Sequence, residues 1–81
     1  MNISGRDLIE LLEKDQWQRR GQATHGVFLF KQFPGERYPR TTVVPNKKDG
    51  LPNGTLAAIL SVKQTGLGRS GLQELISKYK R

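Results

Sequence analysis

No cysteine occurs in the chain, so a disulfide scaffold, thiol chemistry and cysteine-ligated zinc are excluded, and the usage fits a reducing cytosol. No apolar stretch approaches the roughly 20 residues that a membrane span requires, and no signal-peptide core follows Met1. A soluble, cytoplasmic protein with no membrane partner is the expectation. The carboxylates form no pair or cluster suited to two-acid catalysis or to metal binding, so no metal and no cofactor is expected. Histidine occurs once, at His25. No other side chain here has an ordinary pKa suited to proton transfer near neutral pH.

What is present is basic. Eighty-one residues with 35% apolar content allow one domain with a small core. The formal net charge is +7, and it is unevenly spread. Residues 1–15 carry two basic side chains, Arg6 and Lys14, against four acidic ones, a net of −2. Residues 16–81 carry twelve basic side chains against only Glu36, Asp49 and Glu74, a net of +9. Such a field attracts polyanions and speeds their encounter.

The element order reads α-β-β-β-α-α, an α+β fold. Ser4 followed by Asp7 resembles a capping box, and Leu8, Ile9, Leu11 and Leu12 recur at helical spacing over Gly5–Asp15. Gln16–Arg20, anchored by Trp17, forms a first strand, and Gly21–Thr24 reads as a turn. Val27–Lys31 is the strongest strand, broken by the Pro34-Gly35 turn, and Thr41–Val44 is the third. Short turns between three successive strands imply an antiparallel meander with helices on one face. Asn53 is expected to cap a second helix with Leu56, Ile59, Leu60 and Val62 in its buried stripe, ended by Gly66-Leu67-Gly68. A last helix starts at Ser70 and carries Leu72, Leu75, Ile76 and Tyr79. Phe28 and Phe30 share one strand face and are read as core beside Trp17, in preference to base stacking by these rings and Phe33.

The ordered set Arg6-Asp7-Leu8-Ile9, Leu11-Leu12-Glu13-Lys14-Asp15, Trp17, Thr24-His25, Val44-Pro45, Gly54-Thr55-Leu56, Ile59-Leu60 and Gly66-Leu67 resembles the HicA (YcfA-like) toxins of toxin–antitoxin systems. The resemblance implies a single domain over 1–81, with a core over about 4–67 and a helical extension over about 68–81. It implies a fold like the double-stranded-RNA-binding domain with an extra C-terminal helix. It implies an mRNA interferase, a ribonuclease with a histidine in a Gly-Ser-His type motif, held inactive by a HicB-type antitoxin. Here Ala23-Thr24-His25 stands at that motif. Gly26 stands where many members have a second histidine, and Asn46-Lys47-Lys48 has none.

The chemistry suits these residues. A base that takes the 2′-hydroxyl proton of RNA lets that oxygen attack the adjacent phosphorus, and an acid then protonates the leaving 5′-oxygen. Histidine, with a reference pKa of ~6.5, serves either role near neutrality. From the residues alone, a polar turn histidine and a catalyst both stay open for His25; the resemblance favours the catalyst. Lys31, Arg40, Lys47 and Lys48 are the candidates for stabilising the phosphorane, and Thr24 for a hydrogen bond to phosphate or to His25. Arg19 and Arg20 are candidates for the RNA backbone. An antitoxin covering His25 is expected to present acidic side chains to Lys31, Arg40, Lys47 and Lys48. The alternative is a non-catalytic module of the same fold that binds RNA or the antitoxin.

Overall fold

The computed structural model describes residues 2–23 and 26–79. Helix α1 spans Gly5–Lys14. Its N-cap Ser4 is extended, and the Ser4 hydroxyl accepts the Asp7 N–H at 3.1 Å, satisfying one of the free donors of the first turn. Leu8, Ile9, Leu11 and Leu12 form its buried stripe. Gln16 takes a left-handed conformation (φ 75°) after the helix, and the Trp17 N–H returns to the Leu12 carbonyl at 2.9 Å. That turn directs Trp17 into the core, where it is buried.

Strands β1 (Gln18–Ala23), β2 (Gly26–Lys31) and β3 (Arg40–Val44) form an antiparallel sheet in the order β1-β2-β3. Gly21–Ala23 therefore belong to a strand and not to the expected turn. The pairing shifts between Arg19 and Gln22, and Gly21 sits there at φ 108°, a backbone that glycine adopts readily. The chain reverses between Ala23, which pairs with Gly26, and that partner. Thr24 of the expected turn lies outside the described residues.

Two faces of the sheet differ sharply. Val27, Leu29 and Val44 are fully buried, and α1 and α2 both lie against β3. Phe28 and Phe30 are only half-buried and occupy the opposite face. The expectation that these two rings form the core is thus corrected. Val27–Phe30 is apolar on both faces, so alternation within the strand cannot choose between them. The cross-strand pairs Val27–Val44 and Leu29–Thr42 choose, since Val44 and Thr42 are the buried residues of β3.

Helix α2 spans Asn53–Leu60 and α3 spans Gly68–Tyr79. Pro52, not Asn53, occupies the N-cap, without a side-chain cap bond. Asn53 is already inside the helix. The helix stops at Leu60 because Ser61 is extended, and Thr65 turns its hydroxyl onto the Ile59 carbonyl at 2.7 Å. Val62, expected in the buried stripe, is instead 80% exposed. Helix α3 begins at Gly68, two residues ahead of the expected Ser70. It sends Leu72 and Leu75 into the same core and packs on both α1 and α2. Three helices on one side of a three-stranded sheet, in the order α-β-β-β-α-α, agree with the double-stranded-RNA-binding-domain-like expectation. Among the described residues no helix is long and apolar enough to cross a membrane.

The two faces give a stability test. Leu29→Ala is expected to cost about 2–5 kcal/mol by denaturant unfolding, and Phe30→Leu less than about 1.5 kcal/mol. Equal costs would contradict the face assignment.

Candidate functional site

One end of the sheet is built from close backbone contacts. Gly26 has φ 156°, and a side chain there would meet the Val44 carbonyl, with the Pro45 nitrogen at 2.9 Å. Gly5, at the start of α1, lies so close to the Pro45 carbonyl that any side chain would collide with it. The chain leaving β3 is then tied down. The Lys47 N–H donates to Pro45 (3.0 Å), the Arg6 N–H donates to the Lys47 carbonyl (3.1 Å), and the Leu51 N–H donates to the Ile3 carbonyl (2.8 Å). A bridge between Ser4 and Gly50 completes the tether.

The 45–51 loop is thereby held against the start of α1 and beside Gly26. Lys47 and Lys48 are exposed on it and make no ion pair among the described residues. Arg6 is also exposed and joins them at this end. Sequence reasoning does not single out Arg6. Its link to Lys47 is a backbone hydrogen bond across 41 positions of the chain, which no local pattern signals. Thr24 and His25 lie outside the described residues; Ala23 and Gly26, which bracket them, are at this end.

Lys31 and Arg40 are elsewhere. They pair with each other across β2 and β3, five residues along the strand from Gly26, which is about 16 Å at the usual rise. Both are engaged. The Lys31 ammonium donates to the Asp15 carbonyl (2.7 Å) and approaches its carboxylate (3.5 Å). Arg40 donates to both Glu36 carboxylate oxygens and to the Val62 carbonyl at 2.9 Å. The Glu36 hydrogen bond raises the Arg40 guanidinium above its ordinary pKa, partly opposed by desolvation. Both cations also lie over the Phe33 ring, at 4.9 and 5.5 Å, and Phe33 meets Trp17 edge-on at 6.0 Å. They hold the aromatic end of the molecule together and are not brought to the Gly26 end.

Arg19 and Arg20 fall on opposite sides of β1. Arg19 pairs with Glu13 of α1 at 3.2 Å, on the helix side. Arg20 lies over the Phe30 ring at 5.1 Å, on the open side. Among the described residues no three of histidine, aspartate and glutamate cluster. A cleft of about 270 Å³ between α2 and α3, lined by Leu56, Leu60 and Arg69 among others, contains no acid or histidine.

A family model described as the HicA toxin of bacterial toxin–antitoxin systems matches residues 5–67, from the first residue of α1 to the residue before α3. No curated protein and no solved structure matches the chain.

The backbone at Gly26 has a direct consequence. Gly26→His is expected to lower the unfolding free energy by at least about 1 kcal/mol, from the left-handed backbone alone, with the carbonyl clash in addition. Thermal unfolding measures it, and an unchanged midpoint would show that the site has room for a second histidine.

Proposed function

The chain belongs to the HicA toxins of bacterial toxin–antitoxin systems, and on that premise we propose that it is a metal-independent ribonuclease. It cleaves messenger RNA, and a HicB-type antitoxin holds it inactive. The observation that carries this reading is that Lys47, Lys48 and Arg6, which make no ion pair among the described residues, lie at the end of the sheet where Ala23 and Gly26 bracket Thr24 and His25.

RNA supplies its own nucleophile. His25, unprotonated, takes the proton of a 2′-hydroxyl, and O2′ bonds to the adjacent phosphorus. The P–O5′ bond then breaks, and O5′ takes up a proton. The products are a 2′,3′-cyclic phosphate and a 5′-hydroxyl. Lys47 and Lys48 act on the extra negative charge of the phosphorane, as cations do wherever charge develops at a transferring phosphoryl group. Thr24 hydrogen-bonds a phosphate oxygen or His25. Lys31 and Arg40 have no part in this step, because both are engaged about 16 Å away along the strand.

A HicB-type antitoxin would meet the same cationic end. Acidic side chains facing Arg6, Lys47 and Lys48 are its expected contribution, with association that weakens as salt rises.

His25→Ala is expected to lower RNA cleavage by about 10²–10⁴-fold and to abolish growth arrest on induction, with an unchanged melting temperature. Undiminished toxicity from the folded variant would leave the non-catalytic binding module as the better reading.

A further inference from the structure

On the face of the sheet turned away from the buried Val27, Leu29 and Val44, Gln18 and Thr41 are exposed and Phe28, Phe30 and Val43 are half-buried. Gln18, Phe30 and Thr41 lie in register across its three strands, with Phe28 and Val43 paired in the next row towards Gly26. Of the strand cations, Arg20 lies on this face over Phe30, whereas Arg19, Lys31 and Arg40 lie on the helix side and are paired with carboxylates; the strands contain no acidic residue. Phe28 and Phe30 are two positions apart on one face, so their rings are about 7 Å apart along the strand. Arg20 rests its guanidinium 5.1 Å from the centroid of the Phe30 ring, so that ring already accepts a flat cationic partner, whose place a base or a base together with Arg20 can take.

We propose that this face is a binding platform for single-stranded RNA, with two successive bases stacked on Phe28 and Phe30. Aromatic side chains on an open sheet can take two or three splayed bases, and such stacking tolerates any sequence because every base has a π-face. Arg20 serves as a second stacking plane or as a phosphate contact. Gln18 and Thr41, both exposed on either side of Phe30, offer hydrogen bonds to base edges. A duplex does not fit, because its bases are already stacked on one another and hidden. A folded protein is the competing occupant. Arg20 on the face and the absence of acids from the strands favour a polyanion.

The inference rests on the ribonuclease reading only for its direction. Phe28 is two residues from Gly26, so a strand of RNA lying along β2 passes from Phe30 over Phe28 to the connection that contains His25. The platform then holds nucleotides next to the bond to be cut. Substrate is selected for being unpaired before any chemistry occurs.

The test uses a short 2′-O-methyl oligoribonucleotide, which the proposed mechanism cannot cut, and the full chain. Phe28→Leu and Phe30→Leu keep apolar bulk and remove the π-face. Each is expected to weaken binding at least about fivefold, and Phe30→Trp to retain or tighten it. In the unaltered protein, aromatic proton resonances of Phe28 and Phe30 are expected to shift upfield on titration with the same RNA. This arm does not depend on a variant that folds. Unchanged affinity in the folded leucine variants, or unmoved Phe28 and Phe30 resonances, would overturn the platform. Loss of antitoxin binding by those variants with RNA affinity intact would overturn it too and assign the face to protein. Because the probe stays whole, weakened binding supports the platform even if the wild type cuts no RNA. Unchanged affinity overturns it even if His25→Ala is inert.

Discussion

Two glycines allow three backbone segments to meet at one end of the sheet, and the placement of every proposed functional group depends on that meeting. Gly5 opens α1 directly against Pro45, and Gly26 opens β2 directly against Val44 and Pro45. No other residue type fits without separating the helix from the strands. The contact sets where the β1–β2 connection sits relative to α1. It also sets where the loop after β3 departs, and so where Lys47 and Lys48 stand. The vacancy of a second histidine at position 26 follows from the same geometry: the backbone there has already been used for packing.

The opposite end of the molecule shows what the remaining charge is for. Of the basic side chains in strands β1 to β3, Arg19, Lys31 and Arg40 each meet a carboxylate, and Arg20 meets a ring. Exposed pairs of this kind contribute about 0–1 kcal/mol each, so their number is a weak account of stability. Their effect on function is larger. Three of them are held at the aromatic end, whereas among the described residues Lys47, Lys48 and Arg6 at the other end make no ion pair. The basic excess of residues 16–81 thus places Lys47 and Lys48 beside Arg6 of the acidic first segment at one end of the fold.

The first helix was legible because its signals are local: a cap, an acid three residues on, and a four-residue apolar stripe, all within nine positions. The strands were legible as strands, but their faces were not. Val27–Phe30 is apolar throughout, and only its register against Val44 and Thr42 decides that the smaller aliphatic residues face α1. The bulk of Phe28 and Phe30 argues for the core when read alone, yet leucines from α1 and the Trp17–Phe33 pair already fill that space. Asn53 looked like a cap because asparagine commonly is one, whereas Pro52 already holds the backbone needed there. The candidate site was half legible. Lys47 and Lys48 follow β3 directly and fall where a short connection must put them. Lys31 and Arg40 match them in chemistry, and only the strand direction reveals that they sit at the far end. Arg6 joins the site through a contact between residues distant in sequence.

Analysis of the ends left on cut RNA tests the central claim most directly. If His25 activates the 2′-hydroxyl, fragments formed by the purified protein with a chelator present carry a 2′,3′-cyclic phosphate and a 5′-hydroxyl. Replacing the 2′-hydroxyl by hydrogen at the scissile nucleotide abolishes cutting there. Fragments with a 5′-phosphate and a 3′-hydroxyl, or cleavage that persists at a 2′-deoxy position, would contradict it.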